Sequence, residues 1–146
     1  MSMTVEQMIR VDAPAEAVFA KASDIEGSPA QQPKIKRIEM LTPGPVGIGT
    51  RWNETRAMGK KEATVTLEIT EFDPPRSYTV ECDSAGTHYT TTISAEPAGD
   101  SSTLRATVHA KPSGFFAGLL AKMVMGMMRK EIHEDLLCIK RAAESS

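Results

Sequence analysis

Glu54 and Tyr89 are the residues of this chain whose type and placement best suit proton chemistry. Residues 50–56 alternate with period two, which puts Trp52 and Glu54 on one face together with Arg56. Residues 87–95 do the same for Tyr89, Thr91 and Ile93. A carboxylate held in an apolar pocket has its pKa raised by desolvation unless it is paired, and so becomes a usable general acid or base. The competing reading pairs Glu54 with Arg56 or Arg37 near a rim, where it does no chemistry. Trp52 and Tyr89 suit a core as well as a platform for a ligand. Other chemistries find no support. His88, His109 and His133 fall on expected solvent-facing sides and share no motif. Cys82 and Cys138 lack paired spacing, which argues against a disulfide scaffold or a zinc site. No nucleophile-elbow pentapeptide and no phosphate-binding glycine loop occurs. No metal and no cofactor is expected.

The elements that must position these residues are strands followed by one long helix. Residues 4–11 read as a strand. Asp12-Ala13-Pro14 starts a helix with Pro14 in its first turn, and residues 24–32 form a short second helix or a turn closed by Pro33. Strands follow over 34–41, 50–56, 63–70, 78–82, 87–95 and 104–110, joined by Pro- and Gly-rich turns short enough for an antiparallel meander. Pro112-Ser113-Gly114 then releases a helical run from Phe115 to Glu144.

In that helix Leu120, Val124, Met128, Ile132, Leu136, Ile139 and Ala143 repeat at four and three residues and form a docking face. Asp135 lies next to it, oddly, and helix drift or a partner on the sheet's first strand would satisfy it. Phe115, Phe116, Leu119, Met123 and Met127 lie on other sides and require a second covering surface. A greasy helix held in a curved sheet is a container. Its expected lining is Trp52, Glu54, Leu67, Val80, Tyr89 and Thr91 from the strands, with Phe116, Leu120, Met123 and Met127 from the helix. The clustered methionines, Met123, Met125, Met127 and Met128, suit ligands of varied shape or equally fill an irregular core. Alternatively the same aromatic and methionine side chains form a patch for a membrane surface or a partner protein, though polar neighbours look too few for a basic amphipathic anchor.

The 146 residues fit one domain, 1–146, with 25% charged and 40% apolar residues. A formal net charge of -2 argues against a nucleic-acid partner, and Lys34, Lys36 and Arg37 read as a solvated strand edge. The N-terminus lacks the order of a signal peptide, so a cytoplasmic protein is expected. Gly114 to Met128 is broken by Lys122 and too short to span a bilayer, so no stable membrane insertion is expected. A homodimer through a sheet edge or the helix start stays open.

Gly47-Ile48-Gly49-Thr50-Arg51-Trp52, then Thr70-Glu71-Phe72-Asp73-Pro74-Pro75-Arg76, then Glu96-Pro97-Ala98-Gly99-Asp100 and a long terminal helix follow one another in an order that resembles the SRPBCC (START-related) superfamily. Within it the chain resembles the polyketide cyclase/dehydrase and lipid-transport group, from Val5 to about Glu144. The resemblance implies an α+β helix-grip fold: a seven-stranded antiparallel sheet wrapped around the C-terminal helix, two short helices after strand 1, and a cavity for apolar or amphipathic ligands. Where many relatives carry a tryptophan before the second strand, this chain reads Ala30-Gln31-Gln32-Pro33. The superfamily has no common catalytic motif to carry over. Binding or transport of a small hydrophobic molecule is the leading expectation. A cyclase or dehydratase acting on a polyketide-like substrate is the alternative, and an interaction module using the terminal helix is a third.

Overall fold

The computed structural model describes residues 2–145 and has the helix-grip architecture. Strand β1 (Met3–Val11) leads into α1 (Ala15–Ala22) and the single turn α2 (Ser28–Gln31). The meander β2 (Ile35–Met40), β3 (Arg51–Met58), β4 (Lys61–Asp73), β5 (Ser77–Ser84), β6 (Thr87–Ala98) and β7 (Ser101–Pro112) follows, and α3 (Phe115–Glu144) ends the chain. The strands form one antiparallel sheet ordered β1-β7-β6-β5-β4-β3-β2. The connection through α1 and α2 therefore carries the chain from one edge of the sheet to the other.

Local chemistry accounts for most boundaries. Pro14 takes the N-cap position of α1 instead of its first turn, so the helix starts one residue later than the sequence suggests. Its φ of -65° suits that place, and Ala17 and Val18 both donate backbone hydrogen bonds to its carbonyl. Between β5 and β6 the chain turns at Ala85-Gly86, and Gly86 has φ +78°. A Cβ there would sit 3.3 Å from both the Ala117 Cβ and the Ser113 Oγ, so glycine serves the turn and also lets the hairpin approach the start of α3. Ser113 fastens that approach by donating its backbone N–H to the Gly86 carbonyl at 2.9 Å.

Register places the apolar faces. Val5 lies opposite Val108 and Ile9 opposite Leu104, while Tyr78, Val80 and Cys82 lie opposite Ile93, Thr91 and Tyr89. A bulge between Ile69 and Glu71 breaks the alternation of β4, so that both Ile69 and Phe72 join the interior. The larger core gathers at the α1 end, where Val11, Val18, Ile69, Leu104 and Leu136 are fully buried. Phe19 packs on Phe72 and Tyr78 with ring centroids 6.0 and 6.1 Å apart. The Tyr78 hydroxyl donates to the Ala22 carbonyl at 2.8 Å, and Ser102 Oγ donates to the Ala13 carbonyl at 3.0 Å, so no buried hydroxyl at this seal is left unmet.

Helix α3 does not lie along the middle of the sheet. Its main neighbours are β1 and β7, then α1, and it meets β6 only slightly. Gly118, Ala121, Met125, Leu136, Ile139 and Ala143 are its buried residues. The docking face inferred from spacing is thus right for Leu136, Ile139 and Ala143 but turned in the first half. There Ala121 and Met125 go inward, Val124 and Met128 are half-buried, and Leu120 is exposed. Small residues at 118 and 121 let the helix backbone come close to the sheet, a preference that a search for large apolar repeats overlooks. Leu136→Ala should lower the unfolding free energy by about 3 kcal/mol in a denaturant titration, whereas Leu119→Ala should change it by less than about 0.5 kcal/mol.

Candidate functional site: a polar bridge in the cleft between sheet and helix

Because α3 rests on β1 and β7, the inward faces of β3, β4 and β5 are spanned by side chains. The main span is Arg56. Its Nε donates to Glu54 Oε2 at 2.8 Å, and its Nη2 and Nη1 donate to Asp135 Oδ2 and Oδ1 of α3 at 2.9 and 3.3 Å. Glu54 also accepts the Trp52 indole N–H on Oε1 at 3.3 Å. At the rim Lys34 pairs with Glu131 at 2.6 Å and Glu134 at 3.1 Å, and Glu131 reaches the edge of Arg56 at 4.0 Å. These residues come together because alternation in β3 turns Trp52, Glu54 and Arg56 the same way and Asp135 projects from the facing side of the helix.

Electrostatics limit what the cluster can do. Burial works against the Arg56 charge, but Asp135 and then Glu54 outweigh it and hold the guanidinium above even the usual arginine range. Arg56 therefore stays cationic. Burial pushes the Asp135 carboxyl above the ordinary aspartate value, and Glu54 and Glu131 add to the rise, against the opposing pull of Arg56. The interior carries more carboxylates than cations. Burial is also the first cause that raises the Tyr78 and Tyr89 phenols, and it pushes the Cys82 thiol up to about 11. At neutral pH these three groups are protonated, and none offers a nucleophilic anion.

The strand residues proposed for the lining do gather on one face. Trp52, Val80 and Tyr89 are buried there, and Leu67, Thr91 and Cys82 are half-buried beside them. Register sets Leu67 opposite Trp52, Val65 opposite Glu54 and Thr91 opposite Val80. Val124, Met128 and Ile132 of α3 pack against the Tyr89 and Val108 cluster and roof this side. The helix residues proposed for the lining do not join it. Phe116, Leu120, Met123 and Met127 are all exposed, Phe116 by 83% and Met123 by 63%, because the helix rotates small residues toward the sheet. On α3 the residues that pack toward this face are Val124 and Met128 instead, and the two main concavities among the described residues lie elsewhere, one beside Lys36, Glu39, Asn53 and Thr64 and the other beside Lys21, Gln31, Cys138 and Arg141.

Of the two pairings considered for Glu54, Arg56 is the one formed, while Arg37 pairs with Glu62 at 3.3 Å. Asp135 finds its partner not on the first strand, as expected, but in Arg56 of β3, whose long side chain reaches across to the helix. The signal was present in the sequence: an arginine on the inward face of a strand and an aspartate beside an apolar helix stripe each require an opposite charge, and each answers the other. His88 sits between Glu81 and Asp83 at 2.7 and 2.8 Å on the opposite face of β5 and β6, away from the cleft.

The sequence matches the polyketide cyclase/dehydrase and lipid transport family over residues 2–144. The chain belongs to this family. No functionally curated protein matches it. Among solved structures, an aromatase/cyclase from a Streptomyces species superposes with a TM-score of 0.85 at 18% identity, covering 99% of this chain and 94% of that one. The Thermus thermophilus protein TTHA0849 gives 0.80 at 20% identity over 98% of both chains. Norcoclaurine synthase from Thalictrum flavum, solved with dopamine and hydroxybenzaldehyde, gives 0.78 at 16% identity over 97% of this chain and 86% of that one. At such identities the likeness establishes the helix-grip fold and no more. Among the described residues no helix is long and apolar enough to cross a membrane.

Replacing Arg56 by Met should leave Glu54 and Asp135 facing each other without a counter-charge. The variant should lose about 2–3 kcal/mol at neutral pH, less than a fully buried pair because the bridge is partly hydrated. The sign with pH follows from Asp135. A carboxyl whose folded pKa is raised favours the folded state below its unfolded pKa, and that contribution is lost as pH rises through the folded value. The deficit of the Arg56→Met variant should therefore grow between about pH 4 and pH 7, as read from paired denaturation curves.

Proposed function

We propose that the cleft between α3 and the inward face of β3–β6 binds a small hydrophobic or amphipathic molecule, for carriage or storage, with the polar bridge orienting it. The observation that carries this reading is the unfinished packing of that face. Val65, Leu67, Cys82 and Thr91 on the strands and Val124 and Met128 on the helix are apolar or nearly so, yet only half-buried among one another. An apolar guest would complete their burial at about 25 cal/mol per Å² of apolar area removed from water. Thr91, Tyr89 and the carboxylates of the bridge would supply the few directed contacts that fix orientation.

A cyclase or dehydratase acting on a polyketide-like substrate is the second reading, favoured by the fold shared with an aromatase/cyclase. Proton transfer by Glu54 has less support, since one oxygen is committed to Arg56 and the other to the Trp52 indole. Tyr89 stays protonated and suits hydrogen-bond donation. An enzyme built here would act chiefly by folding a flexible chain into one reactive shape.

Trp52 is the chain's one tryptophan and is buried on the inward face of β3, so it serves as a built-in reporter. Titration with the neutral fluorophore N-phenyl-1-naphthylamine should quench Trp52 saturably by energy transfer. Thr91→Trp, which fills the cleft, should weaken probe uptake at least about tenfold, as read from the probe's own emission. No saturable uptake by the native chain, or uptake indifferent to Thr91→Trp, would reject the reading. Native mass spectrometry of protein purified from its own host would then name the guest.

A further inference from the structure

Six large apolar side chains of α3 point to solvent: Phe115, Phe116, Leu119, Leu120, Met123 and Met127. Their arrangement is ordered. Phe116, Leu120, Met123 and Met127 follow at four, three and four residues and make a wholly apolar stripe. Phe115, Leu119, Lys122, Gly126 and Arg129 make the stripe beside it, which adds two cations. Phe115 and Phe116 meet edge to face at 5.7 Å, a pair already formed at the surface. None of the described residues covers this side, because the buried side of the helix is taken by β1 and β7.

Charge identifies the occupant. Residues 101–130 contain no Asp or Glu, and Lys111, Lys122, Arg129 and Lys130 are all exposed in a chain whose formal net charge is -2. Lys111, Lys122 and Arg129 form no ion pair among the described residues, and Lys130 acts only on Glu134 one turn away. A two-fold dimer through this patch would set Lys122, Arg129 and Lys130 of one copy against the same three of the other, which opposes it. A surface that accepts apolar side chains and neutralises cations together is a bilayer with anionic headgroups. The expectation from sequence that polar neighbours are too few for a basic anchor changes once Lys122, Arg129 and Lys130 are seen exposed on the same outward side of α3 as the apolar stripe.

We propose that the outward face of the first four turns of α3 docks onto an anionic lipid surface, with the helix axis in the plane of the membrane. Phe115, Phe116, Leu119, Met123 and Met127 enter the headgroup and acyl boundary, and Lys122, Arg129 and Lys130 meet lipid phosphates. This is adsorption and not spanning. It does not depend on what the cleft holds.

Co-sedimentation of the full chain with phosphatidylglycerol-containing vesicles, with pure phosphatidylcholine vesicles as the control, tests it. The native protein should partition to the anionic vesicles, weakly or not at all to the zwitterionic ones, and less as salt rises. Phe116→Ser with Met123→Ser, and separately Lys122→Glu with Arg129→Glu, should each lower partitioning on the order of tenfold. All four positions are exposed, so thermal melts should stay unchanged and confirm folding. No partitioning of the native chain, equal partitioning to both vesicles, or variants that bind like the native chain would overturn the proposal. So would sedimentation velocity showing a dimer that Phe116→Ser dissociates.

Discussion

One helix cannot cover seven strands. At about 4.8 Å between neighbours the sheet is roughly 30 Å across, while a helix with its side chains is about 10–12 Å wide. The sheet has one apolar face and must hide it. Curvature, the two short helices and the position of α3 are three answers to that mismatch. Strand β1 closes against β7 instead of β2, so the chain crosses the open side through α1 and α2 and covers the face at that end. Helix α3 takes the β1 and β7 side. What remains is the inward face of β3–β6 beside the first half of α3, and there the packing stays incomplete.

That remaining face is held by a charged side chain. Arg56 is long enough to reach from the sheet to Asp135, and its planar fork grips that carboxylate with two nitrogens while Nε holds Glu54. An apolar contact of the same span would have drawn helix and strands together. A bridge of this kind keeps them apart and satisfied, at the cost of burying more negative than positive charge, which the raised Asp135 carboxyl records. The same geometry occupies the carboxylate that alternation had marked as a proton carrier.

The two halves of α3 do different work. From Ile132 onward, large apolar residues on one side and charged residues on the others make an ordinary amphipathic helix, with Leu136 and Ile139 locked into the main core. Before Met128 the inward positions are small or flexible and the outward ones are large and apolar. That inversion leaves a large apolar patch in water on a stretch without acids.

Period-two alternation, turn residues and the 30-residue helical run were legible along the chain, since backbone geometry and the hydrophobic effect act over neighbours a few residues apart. The seven strands, the first helix and the long last one followed from them, while residues 24–32 stayed open between helix and turn and the family rested on the resemblance carried by phrases such as Gly47 to Trp52 and Thr70 to Arg76. The inward placement of Trp52, Glu54, Arg56, Tyr89 and Thr91 followed too, because a strand offers only two faces. The rotation of α3 did not. A helix with apolar residues all round has no unique inner side by pattern alone, and the choice of Gly118, Ala121 and Met125 over Leu120 came from how closely its backbone could approach β1 and β7. Nor did the pairing of Arg56 with Asp135, 79 residues apart, which each residue's chemistry demanded but only the tertiary arrangement could deliver.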